Sequence, residues 1–516
     1  MEKHLPRTLD RRELLLGVGA AAGMARAAAG TRPNILHIMT DQQQWGTIMG
    51  RSKCRTPQLD KLAKSGLSFE RSYTPSAVCC PARAMLLSGA YHWHNGVYNQ
   101  VHSPPSVHRD MNEDVVLYSD RLKTVGYRQG YVGKWHASQL RGPLDFGFDE
   151  IADLTPLSLA KHKANPDNVP RPKQKPRVVR DRMMQWPGSE PFLMWGHEEG
   201  DEEETDDYYR AECAIRMLKR FAKGSQPWHL ETHFIQPHDP YVPLKKYLNR
   251  YDPRSIAVPK SFAETFAGKP EFHKRESETW GRITEDDYRQ SRAHYYAYVE
   301  QVDAQIGRIL DALDETGQAD NTLVVFTADH GDMVGAHRMW IKGWIPYEEA
   351  YRVPLIVRWP GHTQPGSTTA NLVSTHFLGH TYVQAAGAEK LPYADGASLM
   401  PLFENPRRTD WTDQILCAYY GGEFLYTQRI AITQRHKYVF NGFGIDECYD
   451  LENDPEEMRN IAESSAERPA VDDMRARLYE LMNQYADPYG DLAQPGGGHR
   501  GDRYCAPRYL PRGKRI

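Results

Sequence analysis

One stretch combines a reactive side chain with a setting that would activate it: Cys79-Cys80-Pro81-Ala82-Arg83, followed by Ala84-Met85-Leu86-Leu87-Ser88-Gly89. Pro81 to Leu87 reads as a short helix with Pro81 at the favoured first position. Cys79 then lies at a helix N-terminus, where the dipole stabilises an anion and lowers a thiol pKa. Other polar residues follow apolar runs of strand type. Asp41-Gln42 follow Pro33 to Met39, Lys134 and His136 follow Gly130 to Gly133, and Asp329-His330 follow Leu323 to Ala328. His238 and Lys342 stand in Pro- and Gly-containing segments further along the chain.

The elements that must position these groups read as follows. Strands are expected at Pro33 to Met39, Gly130 to Gly133, Trp228 to Ile235 and Leu323 to Ala328. Helices are expected at Pro57 to Leu67, stopped by Gly66, at Leu117 to Val125, and over about Asp287 to Thr316. The last carries Val299, Val302, Ile306, Ile309, Leu310 and Leu313 on one face. This alternation argues for an α/β sheet covered on both faces, in which functional groups gather at the carboxyl ends of strands. From Thr409 onward, Gln414 to Tyr420, Arg429 to Thr433, His436 to Phe440 and Glu447 to Leu451 read as short strands. An amphipathic helix, about Ala470 to Tyr485, follows them. The basic, Pro-rich Lys161 to Arg182 and the acidic Glu198 to Asp207 read as solvated surface insertions, or else as substrate-facing ones.

The Cys-x-Pro-x-Arg run with its Leu-Leu-Ser-Gly continuation resembles the sulfatase signature, with Ala82 in place of the more common serine. Gly126-Tyr127, Gly133-Lys134-Trp135-His136, Gly142-Pro143 and Gly147-Phe148-Asp149 resemble the second sulfatase signature. Asn34 to Gln42 resembles the N-terminal metal strand, although Asp41-Gln42 stands where many sulfatases carry Asp-Asp. Pro237-His238, Thr327 to Asp332, Lys342-Gly343 and Tyr449-Asp450-Leu451 follow in family order. The resemblance covers nearly all of the chain beyond its leader.

It implies an alkaline-phosphatase-like α/β fold: a large mixed-sheet domain and a smaller C-terminal α+β domain with a four-stranded antiparallel sheet plus helix. It also implies oxidation of Cys79 to formylglycine by a formylglycine-generating enzyme, and hydrolysis of a sulfate monoester. Asp41, Gln42, Asp329, His330 and the residue-79 oxygen would hold one divalent cation. Mostly oxygen donors favour a hard ion, calcium first, with magnesium, or manganese through the imidazole, as alternatives. Arg83 and Lys134 would steady the nucleophile and the sulfate. His136 would take a proton from the nucleophile, Lys342 would bind sulfate oxygens, and His238 would bind them or protonate the leaving alcohol. Asn99, Tyr241, His337 and Trp340 are weaker candidates for substrate contacts. Two other readings remain. A phosphonate monoester or phosphodiester hydrolase of the same superfamily fits Asp41-Gln42 and Asp329-His330 equally well, whereas Lys134 and His136 favour a sulfatase. A non-catalytic sulfated-glycan-binding protein would result if Cys79 stayed unmodified.

The chain has 516 residues and a net charge of only −3, which gives no field for nucleic acid or an anionic membrane. Arg11-Arg12, the apolar run Leu14 to Met24 and the small residues to Ala29 resemble a twin-arginine signal, implying a periplasmic or secreted protein. The run is too short to span a bilayer. The expected division is 1–30 signal peptide, 31–408 catalytic domain, 409–493 C-terminal subdomain and 494–516 tail. Seven scattered cysteines and the absence of a Cys-x-x-Cys pair argue against a disulfide framework or a zinc site of that type.

Overall fold

The computed structural model describes residues 32–103, 106–154, 165–186, 188–342, 345–393, 395–421, 426–442 and 444–493. The expected signal peptide, the tail, Gly343 and Cys505 lie outside them. Eight strands build the large sheet: β1 Asn34–Thr40, β2 Leu67–Phe69, β3 Arg128–Gly133, β4 Glu150–Ala152, β5 Trp228–His233, β6 Thr322–Ala328, β7 Leu355–Arg358 and β8 Ser367–Thr369. Their order is β8-β2-β7-β6-β1-β5-β3-β4. β7 runs antiparallel to β2 and β6, and the other pairings are parallel.

Burial on both faces explains the apolar runs. Along β1, Ile35 and Met39 enter one core, with Leu87, Leu378 and Tyr382, while Leu36 and Ile38 enter the opposite core, with Leu59, Met217 and Ile306. The first face is covered by helices Cys79–Ser88, Tyr118–Thr124 and Phe377–Ala385. The second is covered by Pro57–Ser65, Asp206–Phe221 and the long Glu285–Glu315. Thr284 caps that long helix, accepting from the Asp287 amide while the Asp287 carboxylate accepts from the Thr284 amide.

A separate antiparallel sheet, in the order Gln414–Tyr419, Gln428–Thr433, His436–Asn441 and Glu447–Asp450, packs against helix Arg468–Gln484. The mixed large sheet with this four-stranded partner is the expected architecture.

Three local expectations need correction. The helix expected to start at Pro81 starts at Cys79, so Pro81 is its third residue and Cys79 lies inside its first turn. Proline is tolerated there because the first-turn amides have no intrahelical acceptor. Residues 177–182, expected within a loop, belong to a strand, Arg177–Met184, that pairs antiparallel with Phe192–Glu199. Within the acidic stretch, Glu198 and Glu199 end that partner strand, whereas Asp206 and Asp207 open helix Asp206–Phe221, with Thr205 as its cap.

Candidate active site

Four neighbouring parallel strands deliver polar groups at their carboxyl ends. Asp329 and His330 follow β6, Asp41 and Gln42 follow β1, His238 lies beyond β5, and Lys134 and His136 follow β3. Helix Cys79–Ser88 supplies Cys79 and Arg83, both at most 1% exposed. Cys79 Sγ is 3.1 Å from His330 Nε2 and 3.9 Å from Asp41 Oδ1. Arg83 ties the strands together. It donates to Asp41 Oδ2 at 2.9 Å, to Asp329 Oδ2 at 2.8 Å and to the Lys134 carbonyl at 2.8 Å. Lys134 Nζ adds a 2.6 Å bond to Asp41 Oδ2.

Gln42 and His136 both have a left-handed backbone, with φ of 66° and 54°, a strained conformation for residues with a Cβ. The Gln42 amide nitrogen donates to Asp332 at 2.7 Å and to Asp239 at 3.0 Å, which fixes which end is oxygen. Its Oε1 accepts from Lys342 Nζ at 2.7 Å. Lys342 also lies 2.6 Å from His238 Nε2, while His238 Nδ1 faces the Asp239 carbonyl at 2.8 Å. His238 is therefore the Nδ1–H tautomer, with Nε2 turned to Lys342.

The electrostatics are those of crowded, buried charges. Burial opposes a thiolate at Cys79, yet Lys134, Lys342 and His330 hold the thiol well below its usual range. Burial, followed by the neighbouring Asp41, raises the Asp329 carboxyl. His330 is pushed up to about 9, against burial, by Asp329 and Cys79. His136 goes the other way, down to about 3, through burial and then Lys134. A site that raises a carboxyl and holds a proton on its imidazole is one that a divalent cation would relieve. Asp41, Cys79, Asp329 and His330 present ligand atoms all within 4.8 Å of one another, every one buried. The donor set of Asp41, Cys79, Asp329 and His330 thus fits the expected cation, whereas the Gln42 amide oxygen is bonded to Lys342.

All ten of the stronger expected residues are placed in this neighbourhood. The four weaker ones are buried. The Asn99 side chain accepts from the Val107 amide, and Tyr241 donates to Asp332 at 2.6 Å. His337 stacks on Tyr347 with ring centroids 3.7 Å apart, and Trp340 packs on Trp280. Sequence reasoning missed His102, whose Nδ1 is 2.9 Å from His136 Nε2, and Gln100, which accepts from the Cys80 amide and lies 4.0 Å from Cys79 Sγ. Neither stands in a signature. Asp332 and Asp239, which orient Gln42, sit beside signature residues and could have been found there.

A family model described as Sulfatase matches residues 33–388. A second, described as N-sulphoglucosamine sulphohydrolase, C-terminal, matches residues 335–484. The chain is 29% identical over 476 residues to a choline-sulfatase of Rhizobium meliloti (strain 1021), covering 87% of each. It is 28% identical over 487 residues to an arylsulfatase of Clostridium perfringens (strain 13 / Type A), covering 89% of this chain and 96% of that one. Among solved structures, the fold matches a phosphonate monoester hydrolase of Agrobacterium radiobacter with a TM-score of 0.72 at 23% identity, covering 88% of this chain and 96% of that one. It matches BT4656 in complex with its substrate D-glucosamine-2-N,6-O-disulfate with a TM-score of 0.69 at 22% identity, covering 89% and 99%. The fold is thus the alkaline-phosphatase-like one, and, with every group of the buried cluster inside the matched residues 33–388, the chain belongs to the sulfatase family of hydrolytic enzymes.

Proposed function

We propose that this chain hydrolyses a sulfate monoester to an alcohol and inorganic sulfate, with Cys79 converted to formylglycine as its nucleophile. The carrying observation is the convergence of Cys79, Asp41, Asp329, His330 and Lys134 in one buried cluster. Oxidised and hydrated, residue 79 would supply a gem-diol: one hydroxyl takes the sulfuryl group as the alcohol leaves, the other then loses its proton and expels sulfate, and water rehydrates the aldehyde so formed. Asp41, Gln42, Asp329 and His330 would hold a divalent cation, calcium first by donor type, whose charge would acidify the diol and screen the ester oxygens.

The remaining work falls to the chain's own side chains. Arg83 holds the Asp41 and Asp329 carboxylates in place and adds positive charge beside residue 79. Lys134 and Lys342 offer cations to sulfate oxygens from two sides. His136, kept neutral by burial and Lys134, is available as a base for the diol proton. His238, whose Nε2 accepts from Lys342, would draw a proton from that ammonium before donating to the leaving oxygen.

The alternative is a phosphonate monoester or phosphodiester hydrolase, the activity in the name of one fold neighbour. Lys134 and His136 favour the sulfate reading. The choline and aryl esters of the two curated relatives' names set the first substrates to try. Mass spectrometry of the tryptic peptide Ser72 to Arg83 from natively expressed protein should show the thiol replaced by an aldehyde at Cys79. Turnover of a sulfate ester should exceed that of the phosphonate monoester of the same phenol. An intact thiol throughout would remove the nucleophile and leave a sulfated-glycan-binding role. Preferred turnover of the phosphonate would overturn the sulfate reading.

We further propose export through the twin-arginine route to the periplasm or beyond, resting on Arg11-Arg12 ahead of the apolar run. That route carries folded proteins, so modification and folding can precede export. Replacing both arginines by lysine should retain the protein in the cytoplasm, and unaltered export would refute the route.

A further inference from the structure

The sheet face beneath Arg83 is polar where its surroundings are apolar. His229, Glu231 and His233 alternate along β5 and so share one face, and register sets His37 of β1 beside Glu231. All four are at most 1% exposed. Glu231 Oε1 faces His229 Nε2 at 2.8 Å and the Tyr118 hydroxyl. Its Oε2 faces His233 Nε2 at 2.5 Å and His37 Nδ1 at 2.8 Å. His, Glu and His are zinc-type donors. However, ligands ~2.0–2.1 Å from a tetrahedral ion lie about 3.3 Å apart, so the shorter His229 and His233 separations are hydrogen bonds, whereas His37 is a close charge contact without hydrogen-bond geometry.

The Glu231 carboxylate can only accept, and at 2.5 Å from Nε2 it sets the His233 tautomer. Arg83 Nη1 can only donate, and it meets His233 Nδ1 at 3.3 Å. Nδ1 therefore accepts, and Nε2 carries the hydrogen that goes to Glu231. Burial pushes His233 down to about 4, which keeps the ring neutral. His229 lies between two acceptors, Glu231 Oε1 and Gln129 Oε1. The Gln129 oxygen is identified by its nitrogen, which donates to the Ser119 and Gly147 carbonyls. A contact chain thus runs from Glu231 through His233 to Arg83, and on to Asp41 and Asp329.

We propose that His233 is a positioning residue for Arg83, and that Glu231 enforces the His233 tautomer able to receive the guanidinium. The proposal rests on the reading of Arg83 as part of the Cys79 site. In the opposite tautomer Nδ1–H would confront Nη1–H, and the guanidinium would be driven off the two carboxylates. Tyr131, whose hydroxyl is 2.6 Å from His233 Nδ1 and 2.7 Å from the Lys134 carbonyl, has a single hydrogen, which in this tautomer goes to Nδ1, while the Lys134 carbonyl keeps its bond from Arg83 Nη1.

The test contrasts two half-mimics of the ring. His233→Asn keeps an acceptor near the Nδ1 position, whereas His233→Gln keeps a polar group only near Nε2. The Asn variant should retain kcat/KM within severalfold of the native protein. His233→Gln and Glu231→Gln should each lose about 10–100-fold, the usual cost of a supporting partner, with the two His233 variants melting alike. Imidazole 15N spectra, with the His233 signal assigned by its absence in His233→Asn, should show the Nε2–H tautomer in the native protein and a changed tautomer in Glu231→Gln. An Nδ1–H tautomer in the native protein, equal activity of the Asn and Gln variants, or stoichiometric zinc lost in Glu231→Gln would each overturn the proposal. Assaying the sulfate and the phosphonate of one phenol separates the two ideas. Absence of both activities sinks the functional reading, while the tautomer still decides the positioning role.

Discussion

At the scale of single residues, the site is organised around one anion. Asp41 receives Arg83 and Lys134 on one oxygen and lies within 4.0 Å of Cys79, His330 and His238 on the other. Burial, and then Cys79, would raise this carboxyl, but Lys134, His238 and Arg83 hold it well below the usual carboxylate range. Lys134 follows directly on the carboxyl end of β3. Lys134→Ala should lower kcat/KM by about 10²–10³-fold, or ~2.7–4 kcal/mol, the scale measured when one preorganised donor is removed from a reacting site. Metal content by elemental analysis should be little changed, since Arg83 still balances Asp41. A loss of metal equal to the loss of activity would instead make Lys134 a structural counter-ion.

At the scale of elements, backbone geometry decides whether those residues converge. Gly133 ends β3 with φ of 100°, and a Cβ there would lie 2.0 Å from the His233 carbonyl of β5. Gly133→Ala must therefore pry β3 from β5 just where Lys134 and His136 leave the sheet. The strain is of order 1–3 kcal/mol, and it should appear as a melting temperature lower by several degrees and a kcat/KM reduced at least tenfold. Unchanged values of both would show that the turn relaxes freely. This glycine was legible in the sequence because it stands inside Gly133-Lys134-Trp135-His136, as were the strands β1 and β6, whose apolar runs are buried on both faces. The strand pair Arg177–Met184 and Phe192–Glu199 was not legible. Its exposed charges look like a loop, and only pairing reveals that Arg177 meets Glu199 across the ladder. The acidic run before Asp206–Phe221 was misread for a related reason: carboxylates at a helix N-terminus favour the dipole, so charge density there marked a helix start. His102 and Gln100 could not have been found from spacing, because a loop between signatures brings them to Cys79 and His136.

At the scale of the whole molecule, the two sheets are joined by polar as well as apolar contacts, and those contacts set the acid limit. Lys437 of the small sheet is fully buried on Glu457 at 2.7 Å, Glu348 at 3.0 Å and the Pro346 carbonyl at 2.7 Å. His92 bridges the Val97 and Ala418 carbonyls at 2.9 and 3.2 Å, the second of them in strand Gln414–Tyr419. His376, which lies on the large-sheet side rather than between the sheets, accepts at Nδ1 from Ser374 and donates from Nε2 to the Asp395 carbonyl at 2.7 Å, a fully satisfied neutral ring. Burial pushes both histidines down to about 4, outweighing the nearby carbonyls. Unfolded, each returns to about 6.5. Between those values the unfolded chain binds more protons than the folded one, so stability is complete above about pH 6.5 and drains away as pH falls toward 4. The loss approaches ~3 kcal/mol per histidine at the lower limit. Thermal melts should therefore be level from pH 8 to 7 and fall steeply from pH 6 to 4.5. His376→Gln, which keeps a polar group near Nε2, should flatten that slope even if it lowers the neutral-pH melting temperature. An acid slope identical to that of the native protein would move the cause from this histidine to the buried carboxylates around the site.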